Sequence, residues 1–344
     1  GLSSGPFYTP GNFSKTPELV ALARVAAEAG GFYTSHVRDE SDYGIGVVAA
    51  IDEVITVARE ARLPGIVTHI KALGPGVGGR SAEIVRRINA ARADGVAVWA
   101  DQYPYEASST SLSAALLPAW ANEGGPAAMR GRLADLARRE KIRAAVQENL
   151  RRRGGAAAIQ ICDYEADRTL EGQRLDAIAA AGQRSPEDAA LDLLARGPAS
   201  IVSFNMSEED IVRFMQQPWT MTCSDGDVPV FGEGAPHPRS YGTFPRKVRR
   251  YVVEQHVLTL EQAVHSMTGL PAQVLGVADR GVVRPGAWAD LVVFDLATLR
   301  DTATYERPHA YATGVVHVFV NGVAVLSNGA PTAARPGRVL LRAR

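Results

Sequence analysis

The stretch GIVTHIKALGPGVGGR, residues 65–80, decides how the chain is read. A short apolar run climbs to His69, a lysine follows at Lys71, and a glycine-rich segment closes the stretch. Upstream, GGFYTSHVRDE (30–40) has the same form, a short strand-like run ending on His36. Near-continuous apolar strands belong to parallel sheets covered on both faces. In parallel barrels, the residues at the C-terminal strand ends gather at one mouth. Two strands that each end on histidine therefore point to ligands converging there.

The pattern extends outward from these two strands. TPELVALARVAAEAG (16–30) predicts a helix with Thr16 as N-cap and Pro17 at its first position, and Leu19, Leu22, Ala23 and Ala26 recur at helical spacing. GIGVVAAIDEVITVAREAR (44–62) predicts the next helix, broken by Pro64-Gly65, and SAEIVRRINAARADG (81–95) another, opened by Ser81. VAVWADQY (96–103) reads as a further strand. This alternation predicts an α/β fold with a parallel sheet. Residues 106–200 break the rhythm. There RGRLADLARREKIRAAVQENLRRRGG (130–155) reads as a long helical stretch with a solvated charged face, and SPEDAALDLLARG (185–197) as a helix capped by Ser185. This region is expected to be an inserted, mostly helical segment covering the site. ASIVSFNM (199–206) and WTMTCSDG (219–226) read as the barrel rhythm resuming. After about residue 275, valine-rich strands separated by Pro-Gly and Asn-Gly turns predict an all-β appendage. The expected division is a partial barrel over 1–275 and a β portion over 276–344.

Bulk properties exclude several classes. With 344 residues, 46% hydrophobic, 22% charged and a formal net charge of zero, nothing argues for a nucleic-acid or membrane partner. No apolar run is long enough to cross a bilayer. Two cysteines, Cys162 and Cys223, cannot build a disulfide framework and fit a reducing, cytoplasmic setting. The chain opens at Gly1 on GLSSGPFYTPGNF, which reads as the interior of a domain and not as a signal peptide.

Asp225 closes WTMTCSDG where a strand meets a glycine turn. With His36 and His69 it makes a plausible set for a divalent metal ion, with zinc the natural choice. Each member also has an ordinary reading: a histidine ending a strand serves structure as readily as chemistry, and Asp before Gly forms turns. Lys71, two along from His69, would share its side of an extended strand and suits an anionic substrate. GPGVGG (74–79) fits neither a Walker loop nor a dinucleotide fingerprint and reads as a flexible loop at the barrel mouth. Arg38, Asp39 and Glu40 read equally as partners that orient His36 or as a solvated turn. Among the remaining histidines only His237, beside Arg239, stands out.

The segments GLSSGPFYTPG, SHVRDE, THIKALG, GRSAE, ADQYPYEASST, CSDG, HPRSYGTFPR, MTGLPAQVLGVADRGVVRPGAWADLVVFD and VNGVAVLSNG occur in order over nearly the whole length. In them the chain resembles the N-acyl-D-amino-acid deacylases (D-aminoacylases) of the amidohydrolase superfamily. The resemblance implies the C-terminal part of a metal-dependent TIM-like (β/α)8 barrel carrying a small β-sandwich, and one or two divalent ions, zinc among them. It implies that His36 and His69 bind metal, and that Asp225 is the catalytic acid/base and contacts the metal. It implies that Lys71, Tyr103, Ser109 and Arg239 hold the free carboxylate of a small-molecule substrate. Read alone, Lys71 and Arg239 are surface charges and Tyr103 a core aromatic, and the choice of Ser109 over Ser108 rests on register. The family's His-x-His pair and metal-binding cysteine, from an earlier part of the chain, are not in this sequence. The resemblance therefore implies an N-terminal segment, on this or a separate chain, that completes barrel and metal site; an oligomer is also compatible. The competing readings are a cyclic-amide hydrolase of the hydantoinase or dihydroorotase kind, and a non-catalytic subunit lacking half the metal shell.

Overall fold

A computed structural model describes residues 1–340 of the chain. Four strands, β1 (Leu2–Ser4), β2 (Tyr33–Ser35), β3 (Gly65–Val67) and β4 (Val98–Gln102), pair side by side in parallel, with Leu2, Tyr33, Gly65 and Val98 in register. Helices 16–28, 47–61 and 81–93 make the crossovers. Helix 47–61 buries Val47, Ala50, Ile51, Val54, Val57, Ala58 and Ala61 in one core with Val67, Ile84, Ile88 and Val98. Arg62, left-handed at φ 57°, ends that helix just before Pro64. The first helix starts one residue earlier than its sequence suggests. Lys15 is its N-cap and Pro17 its second residue, because the Thr16 hydroxyl donates 2.7 Å to Glu53 Oε1 instead of capping.

The insert then leaves the sheet. Its strands β5 (Ala107–Ser111), β6 (Ile159–Asp163) and β7 (Ser200–Phe204) form a separate antiparallel sheet in the order β5-β7-β6. The expectation that residues 199–206 rejoin the barrel is therefore corrected. Ile201, Val202 and Ser203 are all buried, so β7 is covered on both faces and has the apolar run of a parallel strand without being one. The insert has its own core of Leu112, Ile142, Val146, Ile159, Leu191, Leu194 and Ile201. Its charged stretch is two helices, 125–134 and 136–152, divided at Asp135, whose side chain accepts 2.9 Å from the Arg138 N–H.

β8 (Thr220–Thr222) returns to the parallel sheet beside β4, giving the order β1-β2-β3-β4-β8. Beyond it, β9 (Leu291–Phe294), β10 (Val315–Val320), β11 (Val323–Ser327) and β12 (Ala330–Pro331) form an antiparallel sheet in the order β12-β11-β10-β9. Both Asn-Gly turns fold as the sequence predicts: Asn321 and Gly322 have φ 51° and 80°, Asn328 and Gly329 φ 49° and 77°. The architecture is thus α/β, part of a TIM-like barrel with an insert and an antiparallel β appendage. Among the described residues no helix is long and apolar enough to cross a membrane.

Candidate active site

The parallel sheet brings the loops after β2, β3 and β8 to one end, where a cavity of about 270 Å³ opens. His36, Glu40, His69, Lys71, Tyr103, Ser108, Ser109, Asp225 and Arg239 all line it, so every site residue expected from sequence reaches one place.

His36 follows β2 directly, and its ring packs against Tyr8 and His69 with centroids 4.6 and 4.5 Å away. Its Nε2 is buried without a hydrogen-bond partner among the described residues. Burial is the chief cause that pushes its pKa down to about 3, although Glu40 pulls the other way. The imidazole is therefore neutral at pH 7, the form that ligates a metal. His69 stands two residues past β3 in the left-handed region at φ 39°, an uncommon place for a residue with a Cβ. Asp101 at β4 holds that backbone by accepting from the His69 N–H at 2.6 Å.

Glu40 is buried between the two imidazoles. Its Oε1 lies 3.5 Å from His36 Nε2, 3.3 Å from His69 Nδ1 and 2.6 Å from Lys71 Nζ. Burial opposes its ionised form, but Lys71 and then the histidines hold its carboxyl well below the usual range. His36, Glu40 and His69 each offer a ligand atom within 4.8 Å of the others. Neighbouring ligands of a tetrahedral ion bound at about 2.1 Å are about 3.4 Å apart, so these separations and the orphaned Nε2 fit a divalent ion. Lys71 Nζ, 2.5 Å from His69 Nδ1, now places a cation against two of the three.

Asp225 lies three residues past β8, left-handed at φ 47°, with its carboxylate turned to Arg239: Oδ2 is 2.8 Å from Nη1. Gly226 permits this loop to approach, because a Cβ there would sit 2.9 Å from Ser240 Cα. Arg239 is buried with its guanidinium carbon 4.7 Å from the centre of the Tyr103 ring. His237 positions it. Its Nδ1 accepts from the Arg239 N–H at 3.0 Å and its Nε2 lies 2.9 Å from Ala107 O. Burial, then Arg239, keeps the His237 pKa well below its ordinary value. The Tyr103 hydroxyl is buried and has no hydrogen-bond partner among the described residues, its pKa held well above the usual phenol value by burial. Ser108 donates to Asn205 Oδ1 at 3.3 Å.

Two expectations change in detail. Arg38 is drawn away by Glu53, and Asp39 accepts from the N–H groups of Ser41, Gly44 and Gly46, so of that trio only Glu40 enters the site. The glycine-rich loop is anchored and not free. Gly74 N–H donates 2.7 Å to Asn205 O, and Gly79 N–H donates 2.9 Å to Asp210 Oδ2. Glu40, Phe7, Tyr8 and Arg153 are lining residues that sequence reasoning did not assign; for Glu40 the available signal was its place four residues after His36.

Residues 76–326 match the model of the amidohydrolase family. N-acyl-D-glutamate deacylase of Alcaligenes xylosoxydans xylosoxydans is 39% identical over 342 residues, 99% of this chain and 61% of that protein. D-aminoacylase of the same organism is 36% identical with the same coverage. The crystal structure of N-acyl-D-glutamate deacylase from Bordetella bronchiseptica, complexed with zinc and a phosphonate mimic of the tetrahedral intermediate, superposes with a TM-score of 0.80 at 38% identity. It covers 99% of this chain and 62% of that one. The chain thus spans about three fifths of the length of the relatives it matches. A D-hydantoinase structure is 14% identical with a TM-score of 0.52, a likeness of fold alone.

Proposed function

Because the chain belongs to the amidohydrolase family, we propose that the protein carrying it hydrolyses the amide of N-acyl-D-amino acids, releasing a carboxylate and a free amine. The observation that carries this reading is one cavity holding an orphaned neutral imidazole, a second histidine and a buried carboxylate beside the Asp225–Arg239 pair. His36 and His69 would hold a divalent ion, zinc by its preference for imidazole and carboxylate, with Glu40 or Asp225 as the anionic partner. Such an ion supplies Lewis acidity to a carbonyl and acidifies water. Asp225 takes the proton of the attacking water and passes it to the leaving amine, without which the tetrahedral adduct reverts. Arg239, Tyr103, Ser109 and Lys71 receive the substrate α-carboxylate. Asp225 engages one guanidinium nitrogen, and the five N–H groups of Arg239 leave donors for a second carboxylate.

This reading takes residues 1–275 as barrel and 276–344 as part of a β-sandwich. The five parallel strands among the described residues are fewer than a closed barrel's eight. An N-terminal segment is expected to pair with the open edges and complete the metal shell. The free thiols Cys162 and Cys223 suit a cytoplasmic setting. The test is a panel of N-acetyl-D- and N-acetyl-L-amino acids and a hydantoin offered to the zinc-loaded, full-length protein. Release of free D-amino acid alone is expected. Turnover confined to the hydantoin, or none, contradicts the reading.

A further inference from the structure

Among the described residues, three cationic side chains and two carboxylates line the cavity. Lys71 is matched by Glu40 at 2.6 Å and Arg239 by Asp225 at 2.8 Å. The third cation, Arg153, is only 1% exposed and lines the cavity, yet no carboxylate pairs with it among the described residues. Its Nε donates 3.3 Å to Ala115 O, while its Nη1 is buried with no hydrogen-bond partner among the described residues, and the Tyr43 ring centre lies 5.8 Å from its guanidinium carbon.

Local sequence puts it there. Arg151, Arg152 and Arg153 end helix 136–152, and Gly154 and Gly155, at φ 92° and 94°, turn the chain away. Arg151 pairs with Glu148 at the surface, and Arg152 reaches Asp42 and Glu148. Only Arg153 turns inward. The helix end is pinned over the site by the loop after β3, because a Cβ on Gly74 would sit 2.1 Å from Arg152 O. A buried guanidinium cannot shed its proton, and a buried charge without a counter-charge is costly. A receptor of this kind is completed by an anion that enters the cavity.

We infer that Arg153 receives a second anionic group of the substrate, the side-chain carboxylate of an acidic N-acyl-D-amino acid, while Arg239 takes the α-carboxylate. The inference rests on the amide-hydrolysis reading. It narrows the substrate class to N-acyl dicarboxylic D-amino acids, and it assigns Arg153 as the residue that distinguishes a carboxylate from its neutral amide. Charge-assisted pairing in a dry site separates such isosteres by about 10- to 100-fold or more.

The test compares N-acetyl-D-glutamate with N-acetyl-D-glutamine on the full-length zinc-loaded protein and on its Arg153→Met and Arg153→Lys variants. The wild type should favour glutamate by about 100-fold in kcat/KM. Arg153→Met should erase the preference through the KM for glutamate, leaving glutamine within a few-fold, and Arg153→Lys should keep part of it. Equal rates on the two substrates by the wild type, or an equal loss on both in Arg153→Met, overturns the assignment and leaves amide hydrolysis standing. If neither compound nor any other N-acyl-D-amino acid is cleaved, the functional reading fails. Calorimetric binding of the same pair then decides the Arg153 assignment by itself, equal affinities overturning it.

Discussion

Lys247 is a buried cation with no anionic partner among the described residues, and its removal should stabilise the fold in a pH-dependent way. Its ammonium sits behind the end of β8, where Nζ donates 2.6 Å to Thr222 Oγ1 and 2.8 Å to Ser266 Oγ. Burial lowers its pKa from 10.5 to about 7, with Cys223 pulling weakly upward. Burial in turn keeps the Cys223 thiol well above its usual range. One pKa unit is worth about 1.4 kcal/mol, so the charged lysine costs the folded state on the order of 5 kcal/mol. The cost is complete below about pH 7, where both states are protonated. Between pH 7 and 10.5 only the unfolded chain holds the proton, so stability rises with pH by about 1.4 kcal/mol per unit. Lys247→Met removes that slope. It also removes two hydrogen bonds worth about 1 kcal/mol each. The hydroxyls keep each other at 3.1 Å, and Ser266 keeps Ala263 O at 2.7 Å. The variant should be about 2–4 kcal/mol more stable than wild type at pH 6, and less stable by about 1–2 kcal/mol near pH 10. Urea unfolding followed by circular dichroism at pH 6, 8 and 10 measures the difference. Parallel stability curves, or a variant weaker than wild type at pH 6, would refute the reasoning.

Asp225→Asn should retain bound zinc and lose about 10²- to 10⁴-fold in kcat, the usual range for a lost acid/base; single-turnover assays and metal analysis check both halves. Arg239→Ala should raise KM about 10- to 100-fold for substrates with a free α-carboxylate and spare their amidated analogues, and an equal loss on both would remove Arg239 from carboxylate recognition. Gly74→Ala forces a Cβ against Arg152 O at φ 103° and should cost about 2–4 kcal/mol in urea unfolding, whereas a neutral change would show that the insert does not press on this loop.

The histidines were legible because a parallel sheet turns strand ends into an address: any residue just past β2, β3 or β8 reaches the same mouth. The Asn-Gly hairpins were legible because their turn conformation admits few residue types. Glu40 was not, since it lies on a loop where side-chain direction has no period, and only the fold of the 39–46 turn aims it between the imidazoles. The strand at 200–204 misled because an apolar run reports burial on both faces and says nothing of which partner provides it. Arg153 was hidden among three consecutive arginines of identical chemistry, distinguished only by where helix 136–152 stops.

The most direct test is anomalous diffraction at the zinc edge from crystals of the full-length protein grown with zinc. The expected result is an ion bonded at about 2.0–2.1 Å to His36 Nε2 and to a ring nitrogen of His69, in the cavity shared with Asp225. Zinc seated elsewhere, with His36 Nε2 still unbonded, would contradict the assignment of this cavity as the hydrolytic site.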